Sequence, residues 1–198
     1  MGRHVHRVSA TSAADDGQRA MGTTAVIVGT GDVGSHVARA FAALGCTVHG
    51  VSRSGRGDPS VFSKVSPVAE LADAVPSANW LVLTIPLTAE TDGLIDRDVL
   101  ARCRRAVLIN AGRGKVVEEA ALPEALDSGW LRGAALDVSE VEPLPASSPL
   151  WDDPRVMISP HNSGPTTIDA TVPGFVESLE AIERGVVPRL AVDRARQY

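Results

Sequence analysis

Between Thr24 and Leu44 the chain reads TAVIVGTGDVGSHVARAFAAL, and no other stretch restricts the possible folds so tightly. A short β-branched run, Thr24–Val28, ends at three glycines in the order G-x-G-x-x-G: Gly29, Gly31 and Gly34. Thr30, Asp32 and Val33 fill the positions between them. Val33, Val37, Ala40, Phe41 and Leu44 then recur at helical spacing, and Gly45 stands where a C′ residue closes a helix. A strand, this glycine turn and a helix form the first βα unit of a dinucleotide-binding domain. Gly29 permits the tight turn, Gly31 admits a pyrophosphate to the backbone, and Gly34 lets helix and strand pack closely. The helix N-terminus offers unbonded N–H groups and a positive dipole end to the phosphates. A glycine-rich turn without a ligand is the plainer alternative, and the strand–turn–helix context weighs against it.

Downstream, apolar runs continue to alternate with helical patterns. Strands are expected at Thr47–Val51, Trp80–Ile85, Ala106–Asn110, Ala134–Leu136 and Arg155–Ser159, which makes six with the first. Helices are expected at Val68–Val75, Asp96–Cys103, Glu118–Ser128 and Thr166–Arg184. Several strands are continuously apolar, as when both sheet faces are covered. The pattern predicts an α/β fold: a Rossmann-type, doubly wound parallel sheet with a C-terminal helix. Residues 1–22, rich in Ser, Ala, Asp and Gly and lacking periodicity, read as a disordered tail. The Rossmann domain is expected over 23–165, followed by a helix and tail over 166–198.

Composition narrows the function classes. With 44% hydrophobic and 22% charged residues, the chain reads as an ordinary soluble globular protein. The net charge of −5, with both signs scattered, leaves no basic footprint for nucleic acid or a membrane surface. The first residues lack the apolar core of a secretory signal, and no apolar run is long enough to span a bilayer. Two cysteines, Cys46 and Cys103, lie far apart without metal-ligand spacing. A reducing, cytoplasmic setting is the expectation, with no metal.

The end of the second strand discriminates between nucleotides. An NAD site places an acid about 20 residues beyond the glycines, to bind the ribose hydroxyls. Here the stretch is VSRSGR, with Ser52, Arg53, Ser54 and Arg56 and no acid. Arginine and serine suit a 2′-phosphate through charge-assisted and hydroxyl hydrogen bonds, so NADP is favoured over NAD. A solvated basic loop is the bland alternative.

Three later loops each carry one candidate for chemistry. NAGRG presents Arg113, DVSEVEP presents Glu142, and SPHNSG presents His161. Each follows a strand, so in an open α/β sheet all three lie where ligands bind. Reduction of a keto acid by hydride needs a bidentate cation for the carboxylate, a proton donor near neutral pH, and an acid to orient that donor. Alone, Arg113 and Glu142 read as surface charges and His161 as a strand-end cap. Together, behind a nucleotide loop, they read as a catalytic set.

With VGTGDVG, LTIPLTAETDGLID, LINAGRGKVVEEAAL, GAALDVSEVEPLP, SPLWDDPRV and SPHNSG, the chain resembles the D-isomer-specific 2-hydroxyacid dehydrogenases over about Thr23 to Gly164. The VSRS loop and the ending VDRARQY are most similar to the branch that reduces glyoxylate and hydroxypyruvate with NADPH. The resemblance implies Arg113 as the substrate-orienting residue, Glu142 as the partner of the histidine and His161 as acid/base. It implies cofactor contacts from the glycine loop, Pro86, Leu87, Asn110, Ala111, Asp137, His161 and Gly164, a small 2-oxoacid substrate, and a homodimer. Ser139 stands where the family usually has an aromatic residue, which implies looser packing near Glu142. Family enzymes also carry an N-terminal substrate domain of roughly 100 residues. Too few residues precede Thr23 to form one, so the nicotinamide side is expected to be open to water. The alternative function is then an NADP(H)-binding module with little turnover.

Overall fold

A computed structural model describes residues 20–164 and 168–194. They divide into two compact units, the first ending at His161 and the second beginning at Asn162.

The first unit is a seven-stranded, wholly parallel sheet. In chain order its strands are β1 (Thr24–Val28), β2 (Thr47–Ser52), β3 (Lys64–Pro67), β4 (Trp80–Leu83), β5 (Ala106–Asn110), β6 (Leu131–Leu136) and β7 (Val156–Ile158). Their order across the sheet is β3-β2-β1-β4-β5-β6-β7. The chain winds outward from β1 in one direction, then returns to β4 and winds outward in the other. The β1/β4 boundary is therefore the topological switch point.

Alternation along each strand explains why both faces are covered. In β1, Val26 and Val28 enter the larger core cluster, while Ala25 and Ile27 enter a smaller one on the opposite face. Leu81 and Leu83 of β4 likewise oppose Val82. In these two central strands period-2 side chains leave no residue exposed on either side, which is why their runs carry no polar alternation. Helix α1 (Asp32–Ala43) packs on the smaller cluster through Ala38, Val37 and Phe41. Gly45, at φ 83°, closes it as expected.

The remaining helices of this unit are shorter than their sequence pattern suggests. Helix α2 is one turn, Leu71–Ala74, between two 3₁₀ turns, because Pro76 interrupts the ladder. Helix α3 is Arg97–Leu100, begun by Asp96, whose carboxylate accepts from the Val99 N–H at 2.8 Å. Helix α4, Leu122–Asp127, follows a 3₁₀ turn over Glu119–Ala121 rather than starting at Glu118. The fourth strand stops at Leu83 instead of Ile85, and the last ordered strand, β7, covers only Val156–Ile158. Two further expectations are corrected. Lys64–Pro67 forms an additional strand, and β6 begins at Leu131 rather than Ala134. Within the expected tail, residues 1–19 lie outside the described residues, but Ala20 to Gly22 are held. The Gly22 N–H donates to the Gly45 carbonyl, and the Thr23 hydroxyl to the Ala20 carbonyl.

Register aligns the strand ends. Val51, Val28, Leu83, Asn110, Leu136 and Ile158 are successive partners across β2, β1, β4, β5, β6 and β7. The next residues along each strand, Ser52, Gly29, Thr84, Ala111, Asp137 and Ser159, therefore form one row at the carboxyl edge. Every loop singled out from the sequence in this unit starts at that row.

In the second unit, helix α5 (Ile168–Glu183) ends before Gly185, at φ 72°. Ile168, Val172, Phe175, Leu179 and Ile182 are exposed along it. The start expected at Thr166 lies outside the described residues. Among the described residues no helix is long and apolar enough to cross a membrane.

Candidate active site

The switch point is closed by backbone packing. Gly29 has φ 107°, a region that excludes most side chains. A Cβ there would stand 2.7 Å from Thr84 Oγ1 and 2.9 Å from Ile85 Cγ2. A Cβ on Gly34 would run into the Gly29 carbonyl oxygen. Helix α1 thus meets β1 at a distance only glycine allows. Gly31 is different: a Cβ there would meet nothing within 4 Å, so space lies open in front of the loop. No side chain caps α1, whose N-cap residue is Gly31 itself. Val33 is 61% exposed and Leu87 39% exposed, one on each loop flanking the crevice. Open space, an uncapped helix N-terminus and flanking apolar surface fit a dinucleotide pyrophosphate.

Beyond β2, Ser52 is half-buried, and Arg53, Ser54 and Arg56 are exposed. The nearest acid of that loop, Asp58, is engaged elsewhere. It accepts from Ser60 N and Oγ at 2.9 and 2.7 Å and lies 3.7 Å from Arg39. The Ser60 bonds hold its carboxyl below the usual range. On the other side of the crevice, Thr91 Oγ1 donates to the Pro86 carbonyl at 2.8 Å, holding the Pro86–Leu87 loop.

Asn110, only 2% exposed, organises the arginine loop. Its Nδ2 donates to the Arg113 carbonyl at 3.1 Å, and its Oδ1 accepts from the Gly112 N–H at 3.1 Å. Its own carbonyl accepts from the Asp137 N–H, and the Ala111 N–H donates to Leu83. The Asn110 side chain therefore holds the loop, and Ala111 belongs to the ladder edge. Arg113 itself is exposed, with Nη1 donating to the Gly112 carbonyl at 2.7 Å.

The histidine stands on the backbone of a buried aspartate. Asp137, 7% exposed, accepts from Ser159 Oγ at 2.5 Å, and its carbonyl accepts from the His161 N–H at 2.9 Å. His161 has φ 52°, a region costing a non-glycine residue on the order of 1 kcal/mol or more. That backbone turn brings Nδ1 to 2.9 Å from Glu142 Oε2. A carboxylate can only accept, so Nδ1–H donates and Nε2 is the nitrogen left for proton exchange. Glu142 Oε1 is steadied by the Ser139 N–H at 3.4 Å. The two side chains are 49% and 41% exposed, so the pair contributes at most about 1 kcal/mol to the fold. What it offers is a fixed tautomer.

Glu142 and His161 are thus in direct contact, while Arg113 stands on the loop after the neighbouring strand, β5, with its guanidinium bonded to the Gly112 carbonyl. Gly164 belongs to the second unit. Sequence reasoning missed the supports: Thr91, Ser139 as a backbone donor to Glu142, and Ser159. Only Ser159 left a trace, as a hydroxyl two residues before the histidine. Ser139, read as a source of looser packing, also abuts Gly114, where a Cβ would strike its carbonyl.

A parallel sheet with a glycine loop at its switch point and an acid–imidazole pair further along the same edge defines a nucleotide-binding domain of the dehydrogenase class. The chain belongs to the D-isomer specific 2-hydroxyacid dehydrogenases: residues 3–163 match the model of that family's NAD binding domain. It is 38% identical over 173 residues to glyoxylate/hydroxypyruvate reductase A of Salmonella typhi, a match covering 87% of this chain and 55% of the relative. It spans about half the length of the curated relatives it matches. Among solved structures, it superposes with a TM-score of 0.83 and 37% identity on a D-isomer specific 2-hydroxyacid dehydrogenase from Xanthobacter autotrophicus in complex with NADPH and MES, covering 91% of this chain and 75% of that one. With the NADPH-dependent glyoxylate/hydroxypyruvate reductase of Sinorhizobium meliloti, in complex with NADP and sulfate, the TM-score is 0.79 and the identity 36%, over 89% of this chain and 57% of that one.

Proposed function

We propose that this chain binds NADP(H) and reduces a small 2-oxoacid of the glyoxylate or hydroxypyruvate type to its D-2-hydroxyacid. The observation that carries the reading is the 2.9 Å contact between His161 Nδ1 and Glu142, on the same sheet edge as the open glycine loop. The glycine loop Gly29–Gly34 would hold the pyrophosphate, with Thr30, Asp32 and Val33 at its rim. Arg53 and Ser54 would hold the 2′-phosphate, while Ser52, whose single O–H proton goes to the Arg56 carbonyl, shapes their turn. Pro86, Leu87, Ala111 and Asp137 would line the path to the nicotinamide, with His161 at its end.

A bound reduced nicotinamide supplies the hydride that reaches the carbonyl carbon. The protein supplies the rest. Arg113 grips the substrate carboxylate with two parallel hydrogen bonds. His161 donates its Nε2 proton to the carbonyl oxygen as the C=O bond becomes C–OH. Glu142 accepts from Nδ1–H and so turns Nε2 toward the substrate. Two buried free thiols, Cys46 and Cys103, suit a reducing cytoplasm. The resemblance to the family supports a homodimer.

A second reading, a module that holds NADP(H) without useful turnover, is favoured by the exposure of the catalytic pair. Water at His161 would screen the charges and loosen positioning. Fluorescence titration with NADPH tests the claim both readings share. Oxidation of NADPH in the presence of glyoxylate separates them. In the native protein turnover is expected, and His161→Gln should lower it by about 10²–10⁴-fold with NADPH affinity retained. Turnover unchanged in that variant removes His161 from the mechanism. Binding without turnover in the native protein leaves the module reading.

A further inference from the structure

In the motif G-x-G-x-x-G the residue after the first glycine is unconstrained, yet here its side chain is fully engaged. Thr30 Oγ1 donates to the Arg56 carbonyl at 2.8 Å. Ser52 Oγ donates to the same carbonyl at 2.9 Å, and the Arg56 N–H donates back to Ser52 Oγ at 3.0 Å. A carbonyl oxygen has two lone pairs, so both are used. Both backbone polar groups of Arg56 are thus tied by two side chains, one from the glycine loop and one from the end of β2. The threonine has little freedom to do otherwise. A Cβ on Gly50 would stand 2.7 Å from its methyl group, and a Cβ on Gly57 would stand 3.2 Å from its Cβ. Two glycines leave the space in which the Thr30 methyl sits, and that seating aims the hydroxyl at Arg56.

We propose that Thr30 is a specificity-determining residue for the phosphorylated nucleotide. From inside the pyrophosphate loop its hydroxyl fixes the Ser52–Arg56 turn in the shape that presents the exposed Arg53 and Ser54 to a 2′-phosphate. It acts as a positioning residue, through Arg56, and the inference rests on the NADP reading above. Loop position matters because a charge-assisted contact to phosphate is strong only at hydrogen-bond distance. A turn released on one side keeps its charge but loses that distance. NADH, which lacks the 2′-phosphate, has nothing to lose from the release.

The test is a pair of dissociation constants, for NADPH and NADH, measured by fluorescence titration at one ionic strength on the native protein, Thr30→Val and Thr30→Ser. Valine keeps the shape and methyl packing and removes only the hydroxyl. Loss of one hydrogen bond should reduce the NADPH-over-NADH preference about fivefold in Thr30→Val. Thr30→Ser, which keeps the donor, should retain it. Equal weakening of both nucleotides by Thr30→Val, an unchanged ratio, or a loss of preference in Thr30→Ser as well would each overturn the inference. A native protein that holds NADPH no better than NADH would instead overturn the NADP reading on which it rests.

Discussion

At the β1 end of the carboxyl edge, the nucleotide loop is shaped by glycines packed without room for a Cβ, whereas at the β5–β7 end exposed side chains stand on buried polar supports. Gly29 and Gly34 work by what they lack: any Cβ collides with Thr84, Ile85 or the Gly29 carbonyl. His161, Glu142 and Arg113 work by what they carry, and the fold beneath them is fixed by Asn110, Asp137 and Ser159. Shape at the first end is therefore inseparable from stability. At the second end, chemistry and stability are divided between two layers of residues, so each can be removed without the other.

The largest expected effect tests the first half of that contrast. Gly34→Ala forces helix α1 away from β1 and should cost about 3 kcal/mol, a fall in melting temperature of about 10 °C, with nucleotide binding lost. Gly31→Ala has room for its methyl in the folded protein and a backbone φ of −76° that alanine accepts. Its melting temperature should stay near native while nucleotide affinity falls, because the methyl enters the space assigned to pyrophosphate. Calorimetry and titration on both variants check this. A Gly34→Ala protein as stable as the native one would mean that the packing at the switch point is looser than the contacts require.

The second half of the contrast is tested by Asn110→Ala against Arg113→Ala. Removing the Asn110 amide leaves the buried Gly112 N–H without its partner and the Arg113 carbonyl with only the Val116 N–H, at about 2 kcal/mol. Urea denaturation should show the loss. Arg113→Ala removes an exposed guanidinium and should change stability by less than about 0.5 kcal/mol, while raising KM for the oxoacid. Should Arg113→Ala destabilise the fold as much as Asn110→Ala, the two-layer description fails.

The same difference explains what the sequence discloses. Glycine spacing is rigid because collisions are, so Gly29, Gly31 and Gly34 announce their loop outright. Arg113, Glu142 and His161 are legible as residue types that a reaction needs, one per strand end. Thr30, Ser139 and Ser159 act through single hydrogen bonds across loops, and nothing periodic marks them. In the fold, strands with continuous apolar runs are plain. Strand β3 is not: Lys64, Val65, Ser66 and Pro67 are four residues that include a proline, tolerated because this edge strand pairs only with β2. The early start of β6 is masked by Arg132 and Gly133, which read as a turn after Trp130. The helices overran their true limits because apolar spacing does not register 3₁₀ turns, such as Val68–Glu70 and Glu119–Ala121, or that Pro123 marks the start of α4.

The smallest expected effect concerns the turn that leads into β7 and so into His161. Asp153 accepts from Arg155 Nε at 2.9 Å and Nη2 at 2.6 Å, and from the Arg155 N–H at 2.8 Å. Arg155 also donates to the Leu126 carbonyl and to Asp127, tying the end of α4 to this turn. The Arg155 side-chain bonds hold the Asp153 carboxyl below its ordinary value. A carboxylate lowered in the folded state stabilises the fold above its unfolded pKa, near 4, and that contribution is lost as pH falls through the lower folded value. At pH 7, Asp153→Asn should therefore lower stability by about 1 kcal/mol, given partial exposure of the pair. The deficit should shrink as the pH falls through the lowered folded value, where the native aspartate also becomes neutral. Paired melts of native and Asp153→Asn protein across this range measure it. No deficit at any pH would mean that Arg155 holds the turn through Asp127 and the Leu126 carbonyl alone.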